Sequence, residues 1–562
     1  MFARLMCIPF LLGCFAFATV AQHGAGDGSS TVSAIDHKDP LLRAMLTELK
    51  RSQQKLQLGE FQRPYYIEYQ LFEVSDYVAN ARLGALVQDR SSLSRFVHVV
   101  VRIGDYKRDS FFREGTGAVE VMPIENNELA LRRQLWLATD KAYKVALTGL
   151  TAKEQMLKNL VADSTMPDDF SREQPVDSVL ELPRLEAQVD RWKQIVRSTS
   201  DLFRADAALD YSMAGLQFRI VNRYYVNTEG TVTRHGNEAY NVMFAGSGPA
   251  PDGTRLDRSH AYFVSKANEL PTPEDVVLET RKRIASFELL RKAPIVEDDY
   301  QGPVLLSADA ATAVFESLFV PNILGNRPTP GSSARVSGEY ASYYKRRVLP
   351  DFFTVVDDPR PQKLDGLTLL GSYSVDDQGV KAEPITVVDQ GILVNYLLGR
   401  EPIRDFAHSN GRGRRGLQGS PGPQISNLIF KAANGVSFEE LKRKLIQMCR
   451  DQGRPYGYYV ETTGPGLAPR LLWRVYVSDG RMELVRGAVF DGIDTRTLRT
   501  DIIAAGNDRY IHNMPEPLPR SIVAPSLLFE DLEIKRAETS REKPPEYPAP
   551  QLGPQRRIDQ AP

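Results

Sequence analysis

Two hydrophobic rhythms alternate along the first half of the chain. Leu42, Met45, Leu46 and Leu49 recur at helical spacing and predict a helix over 41–56. Tyr65 to Val74 and Phe96 to Ile103 are rich in aromatic and β-branched residues and read as strands. Leu129 to Asn159 returns to the helical rhythm, with a break expected at Gly149, and Leu185, Val189, Trp192 and Val196 make a further helical stripe. Leu216 to Val226 predicts a long strand that turns at Asn227-Thr228-Glu229-Gly230 into Thr231-Val232-Thr233. A helix follows over 273–291, opened by Pro273, whose missing N–H the first helical turn tolerates.

The rhythm changes after Ala293-Pro294, where an acidic stretch runs to Tyr300. Beyond it strand candidates dominate: Leu367–Leu370, Ile385–Val388, Leu393–Leu397, Leu471–Val477 and Leu484–Val489. One helix interrupts them. Ser437-x-x-Glu440 has the form of a capping box, and Phe438, Leu441, Leu445, Met448 and Cys449 form the stripe behind it. The expectation is an α+β chain of two parts, a mixed helix/strand domain over 39–293 and an antiparallel, strand-rich domain over 296–536.

The ends carry different patterns. Leu5 to Val20 is almost wholly apolar behind Arg4, and Thr19-Val20-Ala21 offers small residues for cleavage. Residues 1–21 therefore read as a secretory signal peptide, too short to span a bilayer, and imply a periplasmic or secreted protein. Lipidation at Cys14 is the poorer alternative, because Phe15-Ala16-Phe17-Ala18 continues the apolar run. Residues 22–38 read as a flexible linker and 537–562, with its repeated Pro, as a disordered tail. Of three Cys only Cys449 survives cleavage after Ala21, so no internal disulfide is expected. Lys+Arg 70 against Asp+Glu 71 leaves no basic surplus of the kind that marks a nucleic-acid binder.

Chemistry-bearing groups are sparse. The seven His never fall within a helical turn of one another, and no Gly-x-Ser-x-Gly elbow is present. Asp357-Asp358 and Asp376-Asp377 look like paired carboxylates, but Asp376-Asp377-Gln378-Gly379 is more simply a turn with Gly379 at positive φ. Ser409-Asn410-Gly411-Arg412-Gly413-Arg414-Arg415-Gly416 is a Gly-spaced basic loop, suited either to a carboxylate ligand or to solvent.

The second half has a recognisable order. Pro303-Val304-Leu305-Leu306 leads into a helical run, Asp309 to Phe319, containing Phe315-Glu316-Ser317-Leu318-Phe319-Val320. Val355-Val356-Asp357-Asp358, Gly391-Ile392-Leu393, the basic loop, Gly506-Asn507-Asp508 and Phe529-Glu530-Asp531-Leu532-Glu533-Ile534 follow. This succession resembles the TldD/PmbA family of metallopeptidases, also called modulators of DNA gyrase. The resemblance covers most of residues 296–536, is diffuse before them, and implies the same two-part fold.

In that family a His-Glu-x-x-x-His helix and a Cys beyond Gly-Asn-Asp hold zinc. Here Phe315 and Val320 stand at the two His positions, and no Cys follows Gly506-Asn507-Asp508. Of the motif only Glu316 remains, a candidate catalytic residue or simply a solvated one on a packed helix. The segment matching Asn410-Gly411-Arg412 lies by the family's active cavity, which implies substrate binding by these three residues. Family members assemble as dimers, and those lacking the His pair join a metal-bearing subunit. The resemblance thus implies an exported, non-catalytic peptide-binding or partner subunit, with no metal and no cofactor. One alternative is an active peptidase using zinc through unconventional ligands such as Glu316 and His512. Another is a non-enzymatic modulator of DNA topology, which the signal peptide and neutral charge oppose.

Overall fold

The protein is described here by a computed structural model covering residues 38–111, 117–158, 167–185, 187–206 and 208–538. The predicted signal peptide, nearly all of the predicted linker, and the tail beyond 538 lie outside these residues.

The first part is built on a seven-stranded sheet. Ala118–Val121, Ala85–Arg102, Tyr66–Arg82, Tyr211–Asn227 and Val232–Pro249 lie side by side as antiparallel neighbours. Asp177–Val179 runs parallel to one end of Val232–Pro249, and Arg255–Val264 runs antiparallel to the other. Side chains of a strand alternate between faces, and that alternation divides the work of Tyr66–Arg82. Ile67, Tyr69 and Leu71 pack under the helices Pro40–Lys55 and Glu128–Leu157, while Tyr77, Ala79 and Ala81 pack near the helix Val189–Asp201. All six are odd-numbered, so this face is covered by helices along its length. The even-numbered Tyr66, Glu68 and Gln70 are buried on the opposite face, against the second part of the chain.

The strands Tyr66–Arg82 and Ala85–Arg102 are longer than their apolar segments predicted. From Leu83 to Ser94 the hairpin is largely exposed, so its sequence carries little hydrophobic signal. The expected break at Gly149 is absent: Glu128–Leu157 is one continuous helix. The glycine answers to packing instead, since a Cβ there would lie 2.7 Å from the carbonyl oxygen of Ser110. The stripe at 185–196 becomes the helix Val189–Asp201, which leaves Leu185 outside it and exposed.

Besides two short two-stranded pairings, Lys363–Leu364 with Leu367–Thr368 and Gly413–Arg414 with Gly422–Pro423, the second part contains two large sheets. One orders Met482–Val485, Pro469–Tyr476, Tyr456–Thr463, Tyr300–Leu306, Leu527–Arg536 and Ala488–Asp491, with Ile502–Ala505 also on Leu527–Arg536. The other orders Ile392–Leu393, Ile385–Asp389, Phe353–Asp357, Asn427–Ala432, Arg520–Ala524 and Tyr510–Met514. Pairings are antiparallel except Tyr300–Leu306 with Tyr456–Thr463 and Asn427–Ala432 with Arg520–Ala524. Val304 and Leu306 enter the main core with the helix Ala308–Val314, and Leu305 points the other way, to Leu441, Leu445 and Cys449 of the helix Phe438–Asp451. Ser437 caps that helix by accepting from the N–H of Glu440. Three strand segments are shorter than predicted: Leu367–Thr368, Ile392–Leu393, and Met482–Val485, which a turn at Gly487 separates from Ala488–Asp491. The result is an α+β fold, helix-covered in its first part and sheet-rich in its second.

Gly149→Ala discriminates between packing and propensity. Helix propensity alone would stabilise the protein by about 1 kcal/mol. The close approach to Ser110 predicts the opposite sign, a loss of about 1–3 kcal/mol from overpacking, read in chemical denaturation.

Candidate functional site

The helix beginning at Ala308 sits at the centre of the second part. Ser307 caps it by accepting from the N–H of Ala310, and the Ser307 hydroxyl donates to the carbonyl of Glu461 at 2.6 Å. Regular α geometry holds to Val314 and gives way to a π turn over Phe315–Phe319 before resuming at Val320. The N–H of Val320 donates to the carbonyl of Phe315, so positions five apart are stacked across a single backbone hydrogen bond. Isolated π turns of this kind often occur at functional sites.

What occupies the turn is apolar. The Phe315 ring is fully buried and stacks on Phe430 with centroids 3.8 Å apart, and Phe353 and Phe319 close around it edge-on. Neither Phe315 nor Val320 offers a donor atom to a metal. Between them, Glu316 points to the surface side. Its carboxylate accepts from Arg520 at 3.1 Å and lies 3.6 Å from Nε2 of His512. His512 comes from the strand Tyr510–Met514, which pairs residue for residue with the strand carrying Arg520. The fold thus brings together Glu316 and His512, far apart in sequence. Asp309 lies two turns upstream, and burial raises its carboxyl above the usual range despite the opposing pull of His512. A zinc centre needs three protein ligands. Among the described residues no group of three His, Cys, Asp or Glu is arranged to hold a metal ion. The residues around Glu316 do not fit the group that the resemblance implies.

The basic loop is not solvated. Arg412 is completely buried, and its guanidinium is spent on the Asp357 carboxylate and on the carbonyls of Asn410, Asp357 and Glu383. Asp357 also accepts from the backbone and hydroxyl of Ser426, at 2.8 and 2.6 Å. The side chain of Asn410 bridges two backbone groups, accepting from the N–H of Leu398 and donating to the carbonyl of Tyr396. Gly411 has φ +73°, and a Cβ there would meet the Lys381 carbonyl at 2.6 Å. Gly411 and Arg412 are buried and Asn410 is half-buried, with the polar side chains of Asn410 and Arg412 bonded to the scaffold. The turn at Asp376 belongs to the same framework: its carboxylate accepts from Gln378, Val380 and Gly413, and Gly379 has φ +79° as expected.

Sequence reasoning missed the segment that links these places. Pro515 to Arg520 passes between the loop and the helix. Arg414 donates to the carbonyl of Pro519 with its guanidinium over the Tyr373 ring, and Arg520 holds the carbonyls of Glu516 and Leu518 while bonding Glu316. Three prolines within five residues, Pro515-Glu516-Pro517-Leu518-Pro519, were the available signal for a rigid connector.

Residues 299–536 match the model of the PmbA/TldA metallopeptidase C-terminal domain. Metalloprotease PmbA of Escherichia coli O157:H7 is 30% identical over 197 residues, 35% of this chain and 38% of that protein. A metalloprotease of Methanocaldococcus jannaschii is 27% identical over 168 residues, 30% of this chain and 34% of that protein. The matches thus span well under half the length of these relatives. The crystal structure of TldE from Thermococcus kodakarensis superposes with a TM-score of 0.57 at 13% identity, covering 87% of this chain and 99% of that one, which speaks for the fold.

Two outcomes follow from the buried charges. Arg412→Met strips Asp357 of its buried ion-pair partner, and should cost about 3–5 kcal/mol in urea denaturation. His98, whose Nε2 meets the carbonyl of Leu417 at 3.1 Å, is pushed down to about 4 by desolvation and by Arg415. A folded value below the unfolded one gives stability that is complete above about pH 6.5 and lost as pH falls toward 4. The loss attributable to this group is roughly 2–3 kcal/mol, and His98→Gln should flatten the pH–stability profile over that window.

Proposed function

The chain belongs to the TldD/PmbA family, and from that premise we propose that it is an exported member that has given up the metal centre and acts as a non-catalytic peptide-binding or partner subunit. The observation that carries this reading is the packing of Phe315. A ring stacked face to face on Phe430 fills the place from which a ligand side chain would have to reach, and the companion position is Val320. No Cys follows Gly506-Asn507-Asp508, so the third ligand is missing as well. Three ligands absent together, on a helix whose π turn sets Phe315 and Val320 five residues apart, support a scaffold used for something other than metal chemistry. Export is read from residues 1–21, with cleavage after Ala21. Among the described residues no helix is long and apolar enough to cross a membrane. The oligomer envisaged is a dimer, either of two copies or with a metal-bearing relative.

A second reading rests on the approach of His512 to Glu316 at 3.6 Å. On that reading the pair would supply unconventional ligands for zinc in an active peptidase. Two side chains fall short of the three that a catalytic zinc requires, so the pair supports the proposal less well than Phe315 does.

Metal content and cleavage separate the two readings. Full-length protein washed with chelator and re-equilibrated with zinc should retain far less than one equivalent by atomic absorption. It should leave unfolded peptide substrates intact. Stoichiometric zinc with chelator-sensitive cleavage that disappears in Glu316→Ala would replace the non-catalytic reading with the second one. N-terminal sequencing of the exported protein should begin at Gln22.

A further inference from the structure

Two cavities meet on the sheet of the first part. One, of about 170 Å³, lies between the strands Tyr211–Asn227 and Val232–Pro249 and the connector Pro515–Pro519. The other, more open and of about 560 Å³, runs beside the helix Val189–Asp201. Glu238 and Lys266 wall both, so the two form one groove.

Charge is unevenly distributed along it. Among the described lining residues Arg184, Arg191, Arg219, Arg223 and Lys266 are cationic, against two acidic side chains, Glu238 and Glu516. Lys266 is paired with Glu238, and Arg219 with Asp76 and Glu516. Arg184 and Arg191 are exposed at the open end and have no ion-pair partner among the described residues.

The inner end holds the second observation. Arg223 is 6% exposed, yet its guanidinium makes one hydrogen bond, from Nη1 to Asn237 Oδ1 at 2.6 Å. Asp377 pairs with Nε as an ion at 3.7 Å, beyond hydrogen-bond reach, so Nε makes no hydrogen bond. Desolvation lowers the pKa of Arg223 below the usual guanidinium range; Asp377 opposes the shift and the neighbouring Arg414 adds to it. His235 nearby is pushed down to about 4, by desolvation first and then by Arg223 and Arg414, against the pull of Asp377. With Asp377 too distant to hydrogen-bond, this nearly buried guanidinium keeps a donor unfilled, and a carboxylate within bonding reach would complete it. Nearby, Asn241 Oδ1 also lacks a partner.

We propose that this groove binds an acidic segment of a polypeptide, with one carboxylate completing Arg223 at the inner end and further acidic side chains lying along Lys266, Arg191 and Arg184. This deepens the peptide-binding reading above and rests on it. A polypeptide suits the groove better than a nucleic acid. Glu238 and Glu516 interrupt the cationic track, whereas a phosphate backbone presents unbroken charge, and the net charge of the chain is −1. The connector Pro515–Pro519 walls the groove, and Arg520 ties that connector to Glu316, so the site adjoins the former metal position.

The test uses the full-length protein and fluorescence anisotropy with four labelled probes: a short Glu/Asp-rich peptide, a Lys-rich peptide and a neutral Gly/Ser peptide of the same length, and a single-stranded oligonucleotide. The acidic peptide should bind best, with affinity falling as salt is raised. Arg184→Glu combined with Arg191→Glu, both exposed and harmless to folding, should weaken it about tenfold or more. Arg223→Gln, checked for an unchanged thermal transition, should weaken it further. Equal binding of the three peptides, or acidic-peptide affinity untouched by the double variant, overturns the groove proposal while leaving peptide binding standing. Binding of no peptide overturns both. Preferential binding of the oligonucleotide overturns the acidic-peptide assignment.

Discussion

A fully buried guanidinium joins the two parts of the chain. Arg400 belongs to the second part, but most of its compensation comes from the first. It bonds the carbonyl of Ser171, pairs with Glu229 at 2.8 Å, and lies over the rings of Phe170 and Tyr66. A charge withdrawn from water to this degree is tolerable only where every partner is in place, so the two sheets have little freedom to shift. Around it Arg102 bridges Asp109 and Glu401, and Gln70 together with Arg415 holds Asp377. The even-numbered face of the strand Tyr66–Arg82 is polar where it meets this network.

Polar burial also explains what the sequence concealed. Helices and strands with one apolar face were legible: 40–55, 211–227, 273–292 and 438–451 follow their hydrophobic spacing to within a few residues. The hairpin tip and the π turn were not, the first because both its faces are wet, the second because one extra residue per turn leaves no mark on a pattern read at 3.6. Gly149 misled because glycine breaks helices by propensity, whereas here it permits a backbone to pass close by.

The candidate site was legible in part. Spacing and order singled out Glu316 and the basic loop, and the fold puts Glu316 against His512. Nothing local foretold that Arg412 would be wholly internal, because a Gly-Arg repeat looks the same whether it faces solvent or a buried carboxylate. Arg223 was invisible for the opposite reason. It sits in a strand among aromatic and apolar neighbours, and its unfilled donors are a property of three dimensions.

The π turn at 315–319 makes this helix sensitive to length. Phe315 fills its place in the turn by stacking on Phe430. Losing a single residue would restore α register and rotate everything beyond it by about 100°. Phe319 would swing out of its aromatic cluster and Asn322 away from the backbone N–H of Glu339 that it accepts from. The register of this stretch is therefore fixed by the number of its residues, and a deletion would be felt by every contact that follows it.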